Sequence, residues 1–548
     1  MRGIFLNCIS VERFGNMKQI RSFLFMSILA CVFFTPVAGQ DHHKRFEAID
    51  VLNYRFEIDL NDTSDVIRGT TTMEILFKSD VNQFYLDLTN KNKEGSGMVI
   101  GEMLEDGMKV QFVHLDDRIK VPAFHSKKGD TRKYQIKYQG IPVDGLIISE
   151  NKYGDRTFFG DNWPDRAHHW LPVVDHPSDK AVVEFLVHAP EHYGVVANGS
   201  IINELHEEER VLSHWQTTVP LPTKLMVIGV SPFAVQHMKS SSGIPVSSWV
   251  YPQNREEGFY DYSIATQPLD FFESYIAPYP YSKLANVQSK TVYGGMENAS
   301  CIFYRENTVT GKQEHETLFA HEIAHQWFGD AVSELDWHHI WISEGFATYL
   351  TDLYLEHTHG REIFVSSMKN ERDQVLRFSK RRFAPIVDTT LMVSVRLLNA
   401  NSYEKAGWVL HMLRREFGDE LFRQCVRAFY EEFKFNNALT KDFQKVAESV
   451  SGKDLSFFFN QWFHQPGHPE LSVSWKKRGH KIKITIRQHQ EHFVFKFPLD
   501  IEIKNGKGDS FKEILTIDKP DQTFTIRSSF KPTEIILDPD TWLLFEKH

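Results

Sequence analysis

The stretch "HEIAHQWFGDAVSELDWHHIWISEGFATYL", residues 321–350, contains two histidines four positions apart and a glutamate nineteen residues after the second histidine. Residues four apart on a helix lie about one turn apart on the same side, so His321 and His325 can bind one ion. Glu344 follows among aromatic and aliphatic neighbours, where a carboxylate needs a cation or several hydrogen-bond donors. The pattern predicts two helices that face each other across a metal ion.

The ligand types favour one catalytic Zn²⁺. Two histidines and one carboxylate leave a fourth coordination position open, whereas a structural zinc site usually closes with a fourth ligand such as cysteine, which this stretch lacks. Glu322, next to the first histidine, is predicted to be the general base of a metal-assisted hydrolysis, most plausibly of a peptide bond. His338 and His339 are interpreted as surface or packing residues, because three ligands already complete the set.

The spacing of apolar residues on either side of this stretch predicts a multidomain α+β protein. Alternating apolar residues, as in "LNYRFEIDL" at 52–60, predict a β-rich domain over 40–236, and longer helical segments predict a mainly helical domain over 237–465. The Leu52, Tyr54, Phe56, Ile58 and Leu60 side chains are expected on one face of their strand. After the break "QPGHPEL", alternation returns in 466–548 and predicts a small β domain. Its central strand is expected to place these residues on one face: Phe493, Phe495, Phe497, Leu499, Ile501 and Ile503.

The first 39 residues have the layout of an export signal. Lys18 and Arg21 precede the apolar run "FLFMSILACVFF", and the small residues of "TPVAG" follow it. We predict a signal peptide over 1–39, with Met17 as an alternative start, and a periplasmic or extracellular protein. The run is short for a membrane span, so no span is expected in the mature chain. A retained membrane anchor and lipid attachment through Cys31 are the alternatives.

Composition and charge mainly limit the classes of protein to be considered. The chain has 548 residues, 41% of them apolar, and a net charge of −10 without long runs of one sign. These values indicate a globular protein and give no reason to expect nucleic-acid binding. Cys301 and Cys425, the two cysteines after the signal, are predicted to be free and buried. The oligomeric state stays open.

A second motif, "YGGMENAS" at 293–300, lies upstream of the histidines. Gly294 and Gly295 remove side chains where another backbone could approach, and Glu297 and Asn298 place polar groups beside that point. Taken alone, the segment could also be an ordinary turn.

Three motifs together resemble those of the zinc aminopeptidases, the gluzincin family of alanyl and leucyl aminopeptidases that also includes leukotriene hydrolase. They are "GGMEN" at 294–298, "HEIAH" at 321–325 and "SEGF" at 343–346, supported by "APYPYSKL" at 277–284 and "WFHQPGHPEL" at 462–471. The resemblance covers nearly the whole chain after the signal. It implies a saddle-like N-terminal β domain, a thermolysin-like catalytic domain and a C-terminal β-sandwich.

The resemblance also implies roles for single residues. The segment Gly294, Gly295, Met296, Glu297 and Asn298 would lie along the substrate backbone, with Glu297 binding the α-ammonium group of a peptide that has a free N-terminus. Tyr403 in "NSYEKAGWVL" would stabilise the oxyanion, although Ala406 and Gly407 reverse the order usual in the family. In "GDNWPDRAHHWLPVVDHPSDKA", 160–181, the chain departs from the family pattern, and Asn162 is the nearest equivalent of its second amine-binding residue.

These features favour an exported zinc aminopeptidase. A zinc endopeptidase with the same chemistry is one alternative, and in that protein Glu297 would not face the substrate amine. A non-catalytic peptide-binding relative is another, but it would be expected to have lost one of the metal ligands, Glu322 or Tyr403. Leukotriene-type epoxide hydrolysis is conceivable on the same scaffold, but no feature of the sequence specifically indicates it.

Overall fold

The computed structural model describes residues 47–548. The predicted signal peptide, with Met17 and Cys31, lies outside the described residues. Among residues 47–548, no helix is long and apolar enough to cross a membrane.

The N-terminal region is built from β-strands in three sheets. A nine-stranded sheet has the order β13-β14-β11-β1-β2-β8-β4-β5, with β15 paired to β11; β12-β16-β10-β9 and β3-β7-β6 form the other two. The strands are β1 Ile49–Asp59, β2 Ile67–Phe77, β3 Val81–Asp87, β4 Gly97–Glu105, β5 Met108–Lys109, β6 Val113–Leu115, β7 Arg118–Ser126, β8 Thr131–Ile141, β9 Leu146–Glu150, β10 Arg156–Gly160, β11 Lys180–Pro190, β12 Gly194–Ala197, β13 Ser200–Glu207, β14 Arg210–Gln216, β15 Leu221–Pro222 and β16 Ile228–Ser231.

One predicted core position in β1 is wrong. Tyr54, Phe56, Ile58 and Leu60 are buried as expected, but Leu52 is 38% exposed. The pairing of β1 with β2 shifts register between Val51 and Asn53. This bulge inserts one residue into the alternation and turns Leu52 to the outer face.

The region that follows begins with a mixed five-stranded sheet, where the sequence predicted mainly helices. Its order is β17-β18-β19-β21-β20, so β20 is an edge strand, and β22 pairs with β23 in a separate two-stranded sheet. The strands are β17 Ala234–Lys239, β18 Pro245–Val250, β19 Leu284–Ser289, β20 Gly295–Met296, β21 Cys301–Arg305, β22 Val332–Glu334 and β23 Asn436–Ala438. The predicted domain boundary after residue 236 falls within β17.

Helices form the rest of this region. Their bounds are α1 Arg255–Tyr262, α2 Thr266–Tyr275, α3 Glu316–His325, α4 Trp341–His359, α5 Arg361–Ser379, α6 Ala406–Phe417, α7 Asp419–Phe433, α8 Thr440–Ser451 and α9 Ser456–Phe459. The inner face of α3 is fully buried through Phe319 and Ile323, and that of α4 through Trp341 and Phe346. Cys301 and Cys425 are both buried and free, which confirms the cysteine prediction.

Two lysines of the N-terminal region contact the two-stranded sheet β22-β23 and the turn before it. Lys224 Nζ lies 2.6 Å from Glu334 Oε1, and both side chains are almost completely buried. Lys180 Nζ donates to the backbone carbonyls of Asp330, Ala331 and Asn436. A buried cation left without such partners is costly, so these contacts fix the relative position of the two regions.

The C-terminal strands form two sheets, β28-β25-β24-β30 and β27-β26-β29. Their bounds are β24 Glu470–Arg478, β25 Lys481–Gln488, β26 Phe497–Lys504, β27 Ser510–Ile517, β28 Asp521–Arg527, β29 Glu534–Leu537 and β30 Glu546–Lys547. The strand expected from Phe493 starts later, at Phe497. The side-chain amide of Gln488 hydrogen-bonds the backbone N–H and C=O of Phe495, and Gln461 does the same at Lys496. These side chains take the place of a neighbouring strand.

Candidate metal centre and active site

Helix α3 carries the two predicted metal-binding histidines on adjacent turns. The Nε2 atoms of His321 and His325 lie 3.0 Å apart. Both imidazoles therefore point at the same small volume, as their four-residue spacing requires.

Helix α4 brings the third ligand atom to this volume from its first turn. Glu344 Oε2 lies 3.3 Å from His325 Nε2 and 3.6 Å from His321 Nε2. The carboxyl group is buried, and Oε2 accepts no hydrogen bond within the part of the chain that the structure describes. A buried carboxylate oxygen in this condition needs a positive partner, either a protonated His325 or a metal cation. Two nitrogens and one oxygen at these separations match the donor set of a catalytic zinc site.

The electrostatics of the three groups also favour a bound cation. Burial opposes charge on every member, yet the Glu344 carboxylate raises the pKa of His325 to about 10, and His325 in turn lowers the pKa of Glu344. Burial lowers the pKa of His321. A cation between the three atoms would replace the proton that the His325–Glu344 contact otherwise holds.

A second layer of contacts orients His325. Its Nδ1 lies 3.1 Å from the Phe328 carbonyl oxygen and 3.1 Å from Ser343 Oγ. Donation from Nδ1 to the carbonyl leaves the lone pair on Nε2, where a metal would bind. Gly329, at φ +122°, allows this approach, because a Cβ there would lie 2.8 Å from Nδ1.

Glu322, the predicted general base, is buried beside the strand of the glycine motif. Burial raises the pKa of its carboxyl group well above the usual value. A Cβ on Gly295 would lie only 2.3 Å from Glu322 Oε1, so no other residue fits at 295 without moving this carboxylate. Gly294 is less confined, since a Cβ there would come no closer than 3.8 Å to Leu318. The structure thus gives Gly295 a steric role inside the protein itself.

Glu297 has the properties of an anchor for a positive group. Its side chain is only 4% exposed, and Oε1 finds no hydrogen-bond partner among residues 47–548. Burial raises the pKa of the carboxyl group, while His325 and Lys224 act in the opposite direction. The carboxylate is therefore costly to bury unless a cationic group comes to it.

Gln326, which the sequence analysis missed, fastens the Glu297 segment to the histidine helix. Its Nε2 donates to the Glu297 carbonyl oxygen at 2.7 Å and to Asp330 Oδ2 at 2.9 Å. Its Oε1 accepts from the Ser300 amide at 2.8 Å and from the Tyr279 hydroxyl at 3.1 Å. One side chain therefore holds the anchor segment in register with the metal ligands.

Tyr403 lies across the pocket on an irregular helical turn that precedes α6. Its ring is stacked near that of His321, with centroids 6.1 Å apart. Burial raises the pKa of Tyr403 well above the usual value, so the phenol keeps its proton and can donate it in a hydrogen bond. The reversed Ala-Gly order nearby is accommodated because Ala406 packs against Gly345, where a Cβ would lie 2.5 Å from the Ala406 methyl group.

These side chains converge on one pocket of about 240 Å³. It is lined by Trp163, Tyr293, Gly294, Gly295, Met296, Glu297, Leu318, His321, Glu322, His325, Glu344, Leu398 and Tyr403. The predicted metal ligands, Glu322, Tyr403 and the segment from Gly294 to Glu297 thus come together. Asn298 does not line the pocket; it is completely buried behind it.

Asn162, predicted to contact the substrate, is not brought to the pocket. Its side chain is completely buried: Nδ2 donates to the carbonyls of Thr223 and Met226, and Oδ1 accepts from Trp170 Nε1. All of its hydrogen-bonding atoms serve the protein interior. The N-terminal region instead contributes the next residue, Trp163, to the pocket wall.

Two further histidines stay outside the metal group. His338 Nδ1 lies 2.6 Å from Asp336 Oδ1, with its Nε2 3.0 Å from the Leu391 carbonyl. His339 Nδ1 lies 2.8 Å from Thr440 Oγ1. Both therefore serve the connection between α3 and α4.

Comparison with known families assigns the chain to a class. The Peptidase M1 N-terminal domain matches residues 51–225, and the Peptidase family M1 domain matches residues 260–462. Together the two matches span well over half of the chain. The protein belongs to peptidase family M1.

Individual relatives agree with this family. The chain is 24% identical to the leucyl aminopeptidase of Saccharolobus solfataricus and 28% identical to the tricorn protease-interacting factor F2 of Thermoplasma acidophilum; each match covers 84% of this chain and 59% of the relative. The crystal structure of Legionella pneumophila aminopeptidase A in complex with aspartic acid has the same fold, with a TM-score of 0.78 and 17% identity, over 91% of this chain and 60% of that one. The chain thus spans about three fifths of the length of these proteins.

Proposed function

We propose that this protein is an exported zinc aminopeptidase that removes N-terminal residues from peptides. The observation that carries the proposal is the buried Glu297 carboxylate, whose Oε1 lacks a partner within residues 47–548 and which shares a pocket with the metal-ligand group. The α-ammonium group of a peptide would supply the missing charge. An internal peptide segment has no such cation and would leave the carboxylate buried and unpaired.

His321, His325 and Glu344 would hold the zinc ion. When bound, zinc supplies Lewis acidity to the substrate carbonyl and to water. Glu322 accepts the proton of the attacking water on a carboxylate oxygen, and its raised pKa lets it hold that proton until it passes to the leaving amine. The Tyr403 hydroxyl donates a hydrogen bond to the negative charge that develops on the carbonyl oxygen. Glu297 fixes the amine, so the first peptide bond is the one presented to Glu322.

The walls of the pocket favour apolar side chains at the substrate N-terminus. Trp163, Met296 and Leu398 are among the lining residues, and no lysine or arginine of the described chain lines this pocket. An acidic N-terminal side chain would lose its hydration without gaining a partner. We expect a leucyl reporter to be hydrolysed at least about tenfold faster than a glutamyl reporter, which corresponds to about 1.4 kcal/mol.

The decisive experiment compares a leucyl reporter that has a free amine with its N-acetylated form. The aminopeptidase proposal predicts that kcat/KM for the free-amine form exceeds that for the acetylated form by about thirtyfold or more. Equal cleavage of both forms would favour the endopeptidase alternative, and hydrolysis of neither would favour a non-catalytic peptide-binding protein. Metal analysis of the purified protein should find one zinc per chain, and its absence would contradict both enzyme hypotheses.

Export is proposed from residues 1–39 alone. N-terminal sequencing of the protein recovered from its native host should begin at residue 40. Recovery of a lipid-modified Cys31 at the N-terminus would instead establish the anchored alternative.

A further inference from the structure

A second cavity, of about 580 Å³, adjoins the active-site pocket and shares Leu398 and Tyr403 with it. Its remaining lining residues are Gln374, Arg377, Phe378, Arg381, Asn399, Ala400 and Glu404. None of the residues that surround the predicted amine anchor, Glu297, Met296 and Trp163, lines this second cavity. The two cavities therefore meet at Leu398 and Tyr403, away from the predicted amine anchor.

Two arginines of this cavity have no internal partner. Arg377 and Arg381 are exposed, and neither guanidinium has a carboxylate within salt-bridge distance in residues 47–548. Two other arginines of the same segment are occupied: Arg382 pairs with Asp388, and Arg372 lies over the Phe545 ring. Two arginines of this segment therefore make contacts within the protein, and two line the cavity.

The helix determines this arrangement. Gln374, Arg377, Phe378 and Arg381 occupy positions i, i+3, i+4 and i+7, so they share one face of α5 and of the turn after it. The Arg381 backbone N–H donates to the Phe378 carbonyl, which continues that turn. Both guanidinium groups consequently face the same cavity.

The charge of the cavity is positive. Glu404 is its one acidic lining residue, and burial raises the pKa of this carboxyl group. Arginine keeps its charge at every pH at which proteins fold, and its planar group matches a carboxylate in two parallel hydrogen bonds. A carboxylate is therefore the ligand that fits the two unpaired arginines.

The location of the cavity identifies which part of a substrate would reach it. A peptide with its amine at Glu297 and its first carbonyl between the metal ligands and Tyr403 runs away from Glu297, and the second cavity joins the pocket at that end, at Tyr403 and Leu398. The residues on the C-terminal side of the bond to be cleaved therefore enter the cavity. We propose, resting on the aminopeptidase function proposed above, that Arg377 and Arg381 bind a carboxylate on this part of the substrate. The source is either the C-terminal carboxylate of a short peptide or an acidic side chain.

The test measures kcat/KM for matched pairs of peptides. One pair is Leu-Ala-Ala and its C-terminal amide; the other is Leu-Ala-Glu amide and Leu-Ala-Gln amide. A charge-assisted hydrogen-bond pair predicts that wild type prefers the charged member of at least one pair by about tenfold to a hundredfold. The first pair reports the C-terminal source and the second the side-chain source.

The Arg377→Gln, Arg381→Gln double variant should reduce that preference to about equality. The ratio is taken within one variant, so a general loss of activity cancels. Lys369→Gln is the matched control, because Lys369 is an exposed, unpaired cation on α5 that does not line the cavity. This variant should keep the wild-type ratio.

Three results would overturn the inference: equal rates for both pairs in wild type, an undiminished preference in the double variant, or an equal loss in Lys369→Gln. A free-amine leucyl reporter is run in parallel with wild type. Its hydrolysis together with equal rates for both pairs overturns the arginine proposal alone, whereas failure to hydrolyse it overturns the aminopeptidase function as well.

Discussion

The metal-ligand group and the amine-anchor pocket lie side by side but are built in different ways. His321, His325 and Glu344 come from two consecutive helices, joined by a single connection that contains strand β22. The anchor at Glu297 depends on an edge strand, on Gln326 and on Trp163 from the N-terminal region. The residues of the proposed hydrolytic chemistry are thus close in the sequence, whereas the proposed selection of the first peptide bond requires distant segments to assemble correctly.

The largest expected effect is a loss of turnover without a loss of bound metal. Glu322→Gln keeps the size of the side chain but cannot accept a proton, so turnover should fall about 10²- to 10⁴-fold. Zinc content should stay at the wild-type level, because Glu322 is not a ligand. Steady-state kinetics with a leucyl reporter and metal analysis of the same sample test both statements. Near-normal turnover would show that another group is the base.

Glu297→Gln should weaken binding of the substrate amine and leave the proposed base and metal ligands unchanged. Loss of one member of a buried charge pair costs about 2–5 kcal/mol, which is roughly thirtyfold or more in kcat/KM for the free-amine reporter. The N-acetylated reporter never makes this contact, so its rate should not fall. An equal loss for both reporters would mean that Glu297 acts on the metal-ligand group and does not recognise the amine.

Gly295→Ala tests the contact between the glycine motif and the Glu322 carboxylate. A Cβ there lies 2.3 Å from Glu322 Oε1 and must displace the carboxylate. A displacement of about 1 Å in a catalytic group can cost about a hundredfold, so kcat should fall about tenfold to a hundredfold with zinc retained. Gly506→Ala is the matched control, since a Cβ at 506 meets only Thr533 at 3.9 Å. Unchanged kcat in Gly295→Ala would show that the Glu322 carboxylate has room to move.

Gln326→Met should weaken the link between the regions with a smaller effect. The near-isosteric side chain cannot donate to the Glu297 carbonyl or accept from the Ser300 amide, and each buried polar group left unpaired costs about 1–3 kcal/mol. The preference for the free amine should fall about tenfold, an effect of about 1.4 kcal/mol on the position of Glu297. The measurement is the ratio of kcat/KM for free and acetylated reporters, beside the free energy of unfolding. Lower stability with an unchanged ratio would reduce Gln326 to a purely structural residue.

The same division explains what the sequence could predict. Helical spacing alone places His321 and His325 together, and a carboxylate among apolar neighbours marks Glu344 as a residue that needs a cation. Gln326 carries no comparable signal, because its partners Glu297, Ser300 and Tyr279 are distant in sequence and become its neighbours only in the folded chain. At Gly329 a side chain would collide with His325, and this contact exists only once the turn has folded.

The errors of position have a physical origin as well. Leu52 left the core because a bulge shifts the alternation of β1. The strand expected from Phe493 started later because side-chain amides already hold the backbone at Phe495 and Lys496. Asn162 is the nearest positional equivalent of the family's second amine-binding residue, yet the adjacent Trp163 lines the pocket. Position along a motif locates a segment, but local backbone geometry decides which of its side chains reaches the site.

The smallest effect on amine recognition is expected at Asn162, the residue that motif alignment placed in the pocket. Asn162→Leu removes the acceptor of Trp170 Nε1 and the donor to two backbone carbonyls. The free energy of unfolding should fall by about 1–3 kcal/mol, because these buried groups lose their partners. The ratio of free-amine to acetylated kcat/KM should stay at the wild-type value, since no atom of Asn162 faces the pocket. A reduced ratio with unchanged stability would return Asn162 to the amine anchor and would make recognition of the N-terminus a property of two separate regions.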